Sequence, residues 1–257
     1  MSDVVIDIEG LGKRYALSHQ HRPDSLKIWL KNMAQHSTRN EPPMVEEFWA
    51  LKDVSLQVHR GECLALVGKN GSGKSTLLKI LSRIIPPTEG RIRVRGRVVS
   101  LLEVGTGFHP ELTGRENIFL NGAMLGCLET ELRPQFDAIV AFSGIEKFLD
   151  TPVKHYSSGM YVRLAYAIAA HVHAEILVVD EVLAVGDAEF RSKCLSHVRS
   201  MIAAGKAAIV VSHSPSVIME VATTFAVLER GMVKKMGDIH CGCLDAHFEH
   251  KTSGTPS

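Results

Sequence analysis

The chain has almost no net charge, no long apolar run, and too few cysteines in too scattered a pattern to staple a fold. Its 29 basic and 28 acidic residues leave a formal charge of +1, which excludes a global field that would draw it to nucleic acid or an anionic lipid surface. Apolar runs are a few residues long, far below the roughly 20 that span a bilayer. The N-terminal "MSDVVIDIEG" carries acids where a secretory leader needs an apolar stretch. The five cysteines, Cys63, Cys127, Cys194, Cys241 and Cys243, are odd in number and mostly far apart, the usage of reduced thiols in a cytosolic protein. Internal repeats and heptad arrays are also lacking. What is present is a 257-residue chain with 45% apolar residues, enough for a sizeable core.

Short apolar runs, "CLALVG", "EILVVD" and "AAIVVS", alternate with helical patterns, which is how a mostly parallel, helix-covered sheet reads. The expected class is α/β, with a β-rich antiparallel edge formed by "DIEGLGKRY" and "FWALKDVSLQV". Between the first two apolar strands, "GFHPELTGRENIFLNGAMLG" through "RPQFDAIVAFSGIEKFLD" shows helical periodicity and turn residues, an inserted helical subdomain. The expected division is a core over 1–102 and 165–236, a helical subdomain over 103–164, and a terminal helix and tail over 237–257. A further insertion, about 18–47, carries Leu26, Trp29, Leu30 and Met33 on one helical face and Lys27, Lys31 and Asn32 opposite. It reads either as a short helix packed on its own domain or as a contact to a membrane-embedded partner or the lipid surface.

"LALVGKNGSGKSTLLKIL" sets a glycine-rich turn between an apolar strand and an amphipathic helix, the residue pattern and the context of a P-loop. Glycines let successive backbone N–H groups curl around phosphates, and the helix start adds partial positive charge. The nucleotide-facing set is Gly68, Asn70, Gly71, Ser72, Gly73, Lys74, Ser75 and Thr76, with Lys74 on the terminal phosphates and Ser75 on Mg²⁺. "ILVVDE" ends another buried strand in Asp180 and Glu181, an acid that holds Mg²⁺ through water and a second that takes a proton from attacking water. His213 ends a third apolar strand, and in parallel sheets such ends gather on the ligand-binding edge.

In order, "GKNGSGKST", "SLLEVGTGFHPELTGRENI", "YSSGM", "ILVVDE", "AVGD" and His213 resemble the motifs of the nucleotide-binding subunits of ABC transporters, over nearly the whole chain. The resemblance implies ATP and Mg²⁺ as ligands, Glu181 as catalytic base, His213 as γ-phosphate sensor and Asp187 as a contact across a homodimer. It implies adenine stacking on Tyr15, with Trp49 as the alternative, and places Glu103 at Mg²⁺ where most relatives carry Gln. Ser157 and Gly159, at a helix start, are implied to serve the ATP of the other subunit, Gly159 by allowing close backbone approach. With Glu103 and a signature reading Tyr156, Ser157, Ser158, Gly159, Met160, the chain resembles ATPases of bacterial polysaccharide exporters for O-antigen, capsule or teichoic acid. The O-antigen type is the expected one, since 257 residues leave no room for an added carbohydrate-binding domain. That implies two separate membrane subunits, a lipid-linked polysaccharide cargo, no nucleic acid, and a place on the cytoplasmic face of the inner membrane. An importer ATPase and a soluble ABC ATPase are the rival readings. The importer lacks support from Glu103 and from any C-terminal regulatory segment; the soluble one would need a second cassette or long coiled coils.

Two weaker signals complete the reading. "IHCGCLDAHFEHK" holds His240, Cys241, Cys243, His247 and His250, but in no established zinc spacing, and reads as a terminal helix. "EGRIRVRGRVVS" alternates Arg91, Arg93, Arg95 and Arg97 with mostly apolar residues or glycine, a strand with one solvated charged face.

Overall fold

The computed structural model describes residues 3–18, 45–102, 105–180, 187–212 and 214–241. The amphipathic stretch at 26–33, Glu103, Glu181, His213, Cys243, His247 and His250 lie outside these residues, as does the side chain of His240.

The strands are β1 (Val4–Ser18), β2 (Val45–His59), β3 (Cys63–Val67), β4 (Glu89–Val94), β5 (Val98–Ser100), β6 (Ile176–Asp180), β7 (Ala207–Val211), β8 (Thr224–Glu229) and β9 (Met232–Asp238). The helices are α1 (Lys74–Leu81), α2 (Gly114–Met124), α3 (Glu129–Leu132), α4 (Phe136–Ser143), α5 (Ser158–His171), α6 (Ala188–Ala203) and α7 (Pro215–Val221).

Six strands form one sheet in the order β5-β6-β7-β3-β8-β9, parallel except for β9. Its central strands β3, β6 and β7 are buried and apolar along their length, save Asp180 at the end of β6, because both faces are covered. Leu64, Leu66, Val178 and Ile209 join a core with α1 and the antiparallel sheet β2-β1-β4, while Ala65, Val67, Val179 and Val210 pack with the helices of the other face. Cys63 shares that second face, and burial pushes its thiol up to about 12, an unreactive thiol within a strand.

The helical texture expected between β5 and β6 is realised as α2 to α5. Some expected boundaries shift. β1 and β2 run as a long antiparallel pair out to Ser18 and Val45, so backbone pairing claims both ends of the 18–47 excursion. α5 passes through 164 without a break because its apolar face stays in one core to Ala169, and β9 continues past 236 to Asp238 by pairing with β8. After it comes a single 3₁₀ turn, Ile239–Cys241, where a terminal helix was expected to begin. Only Arg91 and Arg93 of the expected arginine strand lie in β4, where Arg91 bonds Glu9 and Arg93 lies 3.4 Å from both Asp7 and Glu9 of β1; Arg95 and Arg97 follow its end, Arg97 lying 3.9 Å from Glu131. Such exposed cross-strand pairs contribute modestly.

Two buried polar features hold the helices. Asn117 is fully buried and accepts from the His109 N–H at 2.8 Å while donating to the carbonyls of Leu112 (3.0 Å) and Thr113 (2.9 Å). It ties the loop before α2 to the helix, whose start is closed by a reciprocal Thr113–Glu116 capping box. Further in, Phe142 of α4 stacks on Tyr166 of α5 at 5.9 Å, and both meet Phe190 and His197 of α6 edge to face with centroids 5.8–6.3 Å apart, a cluster that His171 joins at Phe142. His197 Nδ1 is buried there without a partner.

Asn117→Ala strips the His109 N–H of its acceptor, while the Leu112 and Thr113 carbonyls keep the Val153 and Asn117 amides, and should cost about 1–3 kcal/mol in urea denaturation. Burial holds the His197 imidazole below its ordinary 6.5, with the charges of His171 and Lys206 acting the same way and a bond to Ala170 opposing. The unfolded chain therefore takes up this proton first, so stability is full above pH 6.5 and declines as pH falls below it. Urea midpoints at pH 7.5 and 5.5 should show that loss, and His197→Phe should reduce it.

Candidate functional site

The sheet order sets the site. β7 lies between β3 and β6, so three parallel strands end on one edge. The P-loop follows β3, and Asp180 and Val211, paired with one another, close β6 and β7. These ends line a cavity of about 560 Å³, a size suited to a nucleotide.

The loop supplies Asn70, Gly71, Gly73, Lys74, Ser75 and Thr76 to its wall. Gly73 has φ +108, and a Cβ there would lie 2.6 Å from the Ala50 carbonyl oxygen, so only glycine permits the turn into α1. The Lys74 side chain is buried, its Nζ donating to the carbonyls of Gly68 at 2.7 Å and Lys69 at 3.0 Å. α1 begins with no side-chain cap, whereas α2, α5 and α6 are capped by Thr113, Ser157 and Asp187. Its first amides are therefore available to an external anion, next to a buried ammonium.

Two members of the expected set lie behind the loop. A Cβ on Gly68 would meet the Leu228 carbonyl oxygen at 2.3 Å, and the buried Ser72 hydroxyl has no hydrogen-bond partner among the described residues. Ser72 borders a separate hollow toward β8 and β9, which Lys69, Asn70 and Gly71 also line. Ser72 thus serves the loop's own packing, its carbonyl accepting the Gly231 N–H at 3.0 Å.

On the strand side, Tyr15 lines the cavity and Trp49 does not. Arg14 pairs with Trp49 and Tyr15 with Phe48 across β1 and β2. Side chains alternate faces along a strand, which sends Trp49 to the far face beneath the Arg14 guanidinium, 5.5 Å from the ring centroid. Phe48, which sequence reasoning passed over, joins Tyr15 at the cavity. Only the register carries that information, and the long excursion between the two strands hides it.

Ser157, Gly159 and Asp187 do not line this cavity. Ser157 caps α5, accepting the Met160 N–H at 3.2 Å. Asp187 caps α6, accepting the Phe190 N–H at 2.9 Å, and ion-pairs with Arg163 of α5. The Phe190 bond, then Arg163, holds its carboxyl below the ordinary range. The starts of α5 and α6 are thereby tied together. A Cβ on Gly159 would meet nothing nearer than the Ser157 hydroxyl at 3.9 Å.

The donors fit a nucleotide with its cation. Ser75 and Asp180 bring a hydroxyl and a carboxylate to one cavity, hard oxygen ligands of the kind Mg²⁺ takes. The uncapped amides and Lys74 meet the phosphates' charge.

Comparison with known proteins agrees with this geometry. Residues 51–184 match the family model described as ABC transporter. The ABC transporter protein AbcA of Aeromonas salmonicida is 40% identical over 238 residues, 93% of this chain and 74% of AbcA. The O-antigen export system ATP-binding protein RfbB of Klebsiella pneumoniae is 37% identical over 91% of this chain and 93% of its own length. The teichoic acids export ATP-binding protein TagH of Listeria innocua serovar 6a is 36% identical, over 92% and 68%. Among solved structures, an ATP binding subunit of an ABC transporter superposes with TM-score 0.72 at 20% identity, covering 98% of this chain and 95% of that one. A dimeric ATP-binding cassette bound to ADP and Pi superposes with TM-score 0.71 at 21% identity, covering 91% and 99%. A phosphate cradle at the edge of a doubly covered sheet, in a sequence so matched, means that the chain belongs to the ABC transporter family, as its ATPase cassette.

Proposed function

We propose that this chain binds ATP with Mg²⁺ and hydrolyses it as one half of a homodimer, driving two separate membrane subunits that export a lipid-linked bacterial polysaccharide, O-antigen before teichoic acid. The observation that carries the nucleotide reading is the meeting in one cavity of the uncapped start of α1, the buried Lys74 ammonium, Ser75 and Asp180. The cargo rests on the names of the relatives, and O-antigen on the near end-to-end match to RfbB of Klebsiella pneumoniae. Among the described residues no helix is long and apolar enough to cross a membrane, in keeping with a peripheral subunit on the cytoplasmic face of the inner membrane.

In this reading Lys74 trades its loop carbonyls for phosphate oxygens, and the amides at the start of α1 hold the same phosphates. Ser75 and Asp180, with Glu103 by resemblance, hold Mg²⁺, which when bound neutralises charge on the β- and γ-phosphates. Glu181 receives the proton of the attacking water at its carboxylate, and His213 orients the γ-phosphate. Tyr15 takes the adenine.

Gly159 supports the dimer. Glycine in a helix costs about 1 kcal/mol against alanine, and nothing among the described residues crowds the position. The room serves a group from outside the chain, namely the partner's nucleotide, contacted by Ser157 and Gly159 while Asp187 reaches the partner itself.

Glu181→Gln should bind ATP and form ATP-dependent dimers in gel filtration while turnover falls about 100-fold or more; near-normal hydrolysis would exclude Glu181 as base. In a strain deleted for the chain, wild type should restore surface O-antigen and Glu181→Gln should not. Gly159→Ala should keep or slightly raise the melting temperature and leave single-chain ATP affinity unchanged, yet lower hydrolysis at least tenfold. An active Gly159→Ala would remove the argument for the dimer.

A further inference from the structure

Phe48 is left half in water, 50% exposed, although Ala50, two residues further along β2, is buried. Leaving a phenyl ring open forgoes much of the 1.5–3 kcal/mol that burying it gains, roughly speaking. Among the described residues, no other ring and no cation packs on it. It stands opposite Tyr15, itself 38% exposed, and both line the cavity whose other wall is the P-loop.

Paired residues on antiparallel strands share a face with Cβ atoms about 5 Å apart. The two side chains therefore share one face of the strand pair and both border the cavity, although no ring–ring contact joins them among the described residues. Lys13 is fixed by the Pro86 carbonyl at 2.8 Å and sets its ammonium over the Tyr15 ring at 5.3 Å, so one side of Tyr15 already has a companion. Ala50 and Leu102 are the other apolar side chains that line the cavity with Val211, alongside the polar groups of the loop.

We propose that Phe48 is the second half of the base-binding surface: a purine ring is held against Tyr15 and Phe48 together, and the cavity selects purine over pyrimidine triphosphates by aromatic contact area. This rests on the nucleotide reading of the cavity. Stacking grows with the size of the π surface and reads no base edge, so ATP and GTP bind alike, and both bind more tightly than CTP.

Calorimetric titration of the full chain with Mg²⁺ and four probes, ATP, GTP, CTP and inorganic tripolyphosphate, tests this. Phe48→Ala should weaken ATP and GTP about fivefold or more, weaken CTP less, and leave tripolyphosphate unchanged, while Phe48→Tyr retains wild-type values. Phe48→Leu, which keeps apolar volume but no aromatic face, should lose the purine preference as well; equal urea midpoints establish that the variants fold. Unchanged ATP affinity in Phe48→Ala, or an equal loss for all four probes, overturns the proposal. Failure of the underlying reading is separate: Lys74→Ala would then leave ATP and tripolyphosphate binding intact.

Discussion

Everything at the site depends on a parallel sheet that must be covered on both faces. Burial of both sides of β3, β6 and β7 removes any solvated face, so the only exposed parts of these strands are their ends. Because all three point the same way, their carboxyl ends lie on one edge, and the order β6-β7-β3 sets Asp180 and the P-loop on either side of Val211. The chemistry-bearing residues are concentrated there because the faces of these three strands have no polar surface to offer.

Helix starts divide the labour around that edge. Thr113, Ser157 and Asp187 satisfy the first amides of their helices, and Glu116 returns the bond in the first case. Only glycine opens α1, with a backbone angle that a Cβ would obstruct. Among these four helices, α1 alone leaves its N-terminal charge to an anion from outside. The Arg163–Asp187 pair joins the cap of α6 to α5.

Much of the fold was legible in the sequence. The continuous apolar runs announced buried parallel strands, and helical periodicity announced α2 to α5. The P-loop was legible as chemistry, since its glycines are demanded by backbone geometry that sequence spacing records directly. Less legible were facts about sides. Nothing in "GKNGSGKST" says that Ser72 faces β8 rather than the cavity, nor does "EFWALKD" say which of Phe48 and Trp49 shares a face with Tyr15. The Asn117 hub was equally hidden in "GFHPELTGRENI", because a buried carboxamide and an exposed one look the same as letters.

By itself the sequence determined which local conformations were open: glycines where the backbone must turn, apolar runs where strands must be buried, capping residues where helices begin. These are properties of a residue and its near neighbours, and they suffice to name a phosphate cradle. Tertiary structure alone decided which residues meet. The pairing of Tyr15 with Phe48, and the separation of Ser157, Gly159 and Asp187 from the cavity, follow from strand register and sheet order. A one-residue slip in register would exchange the two faces of β2 and present Trp49 in place of Phe48.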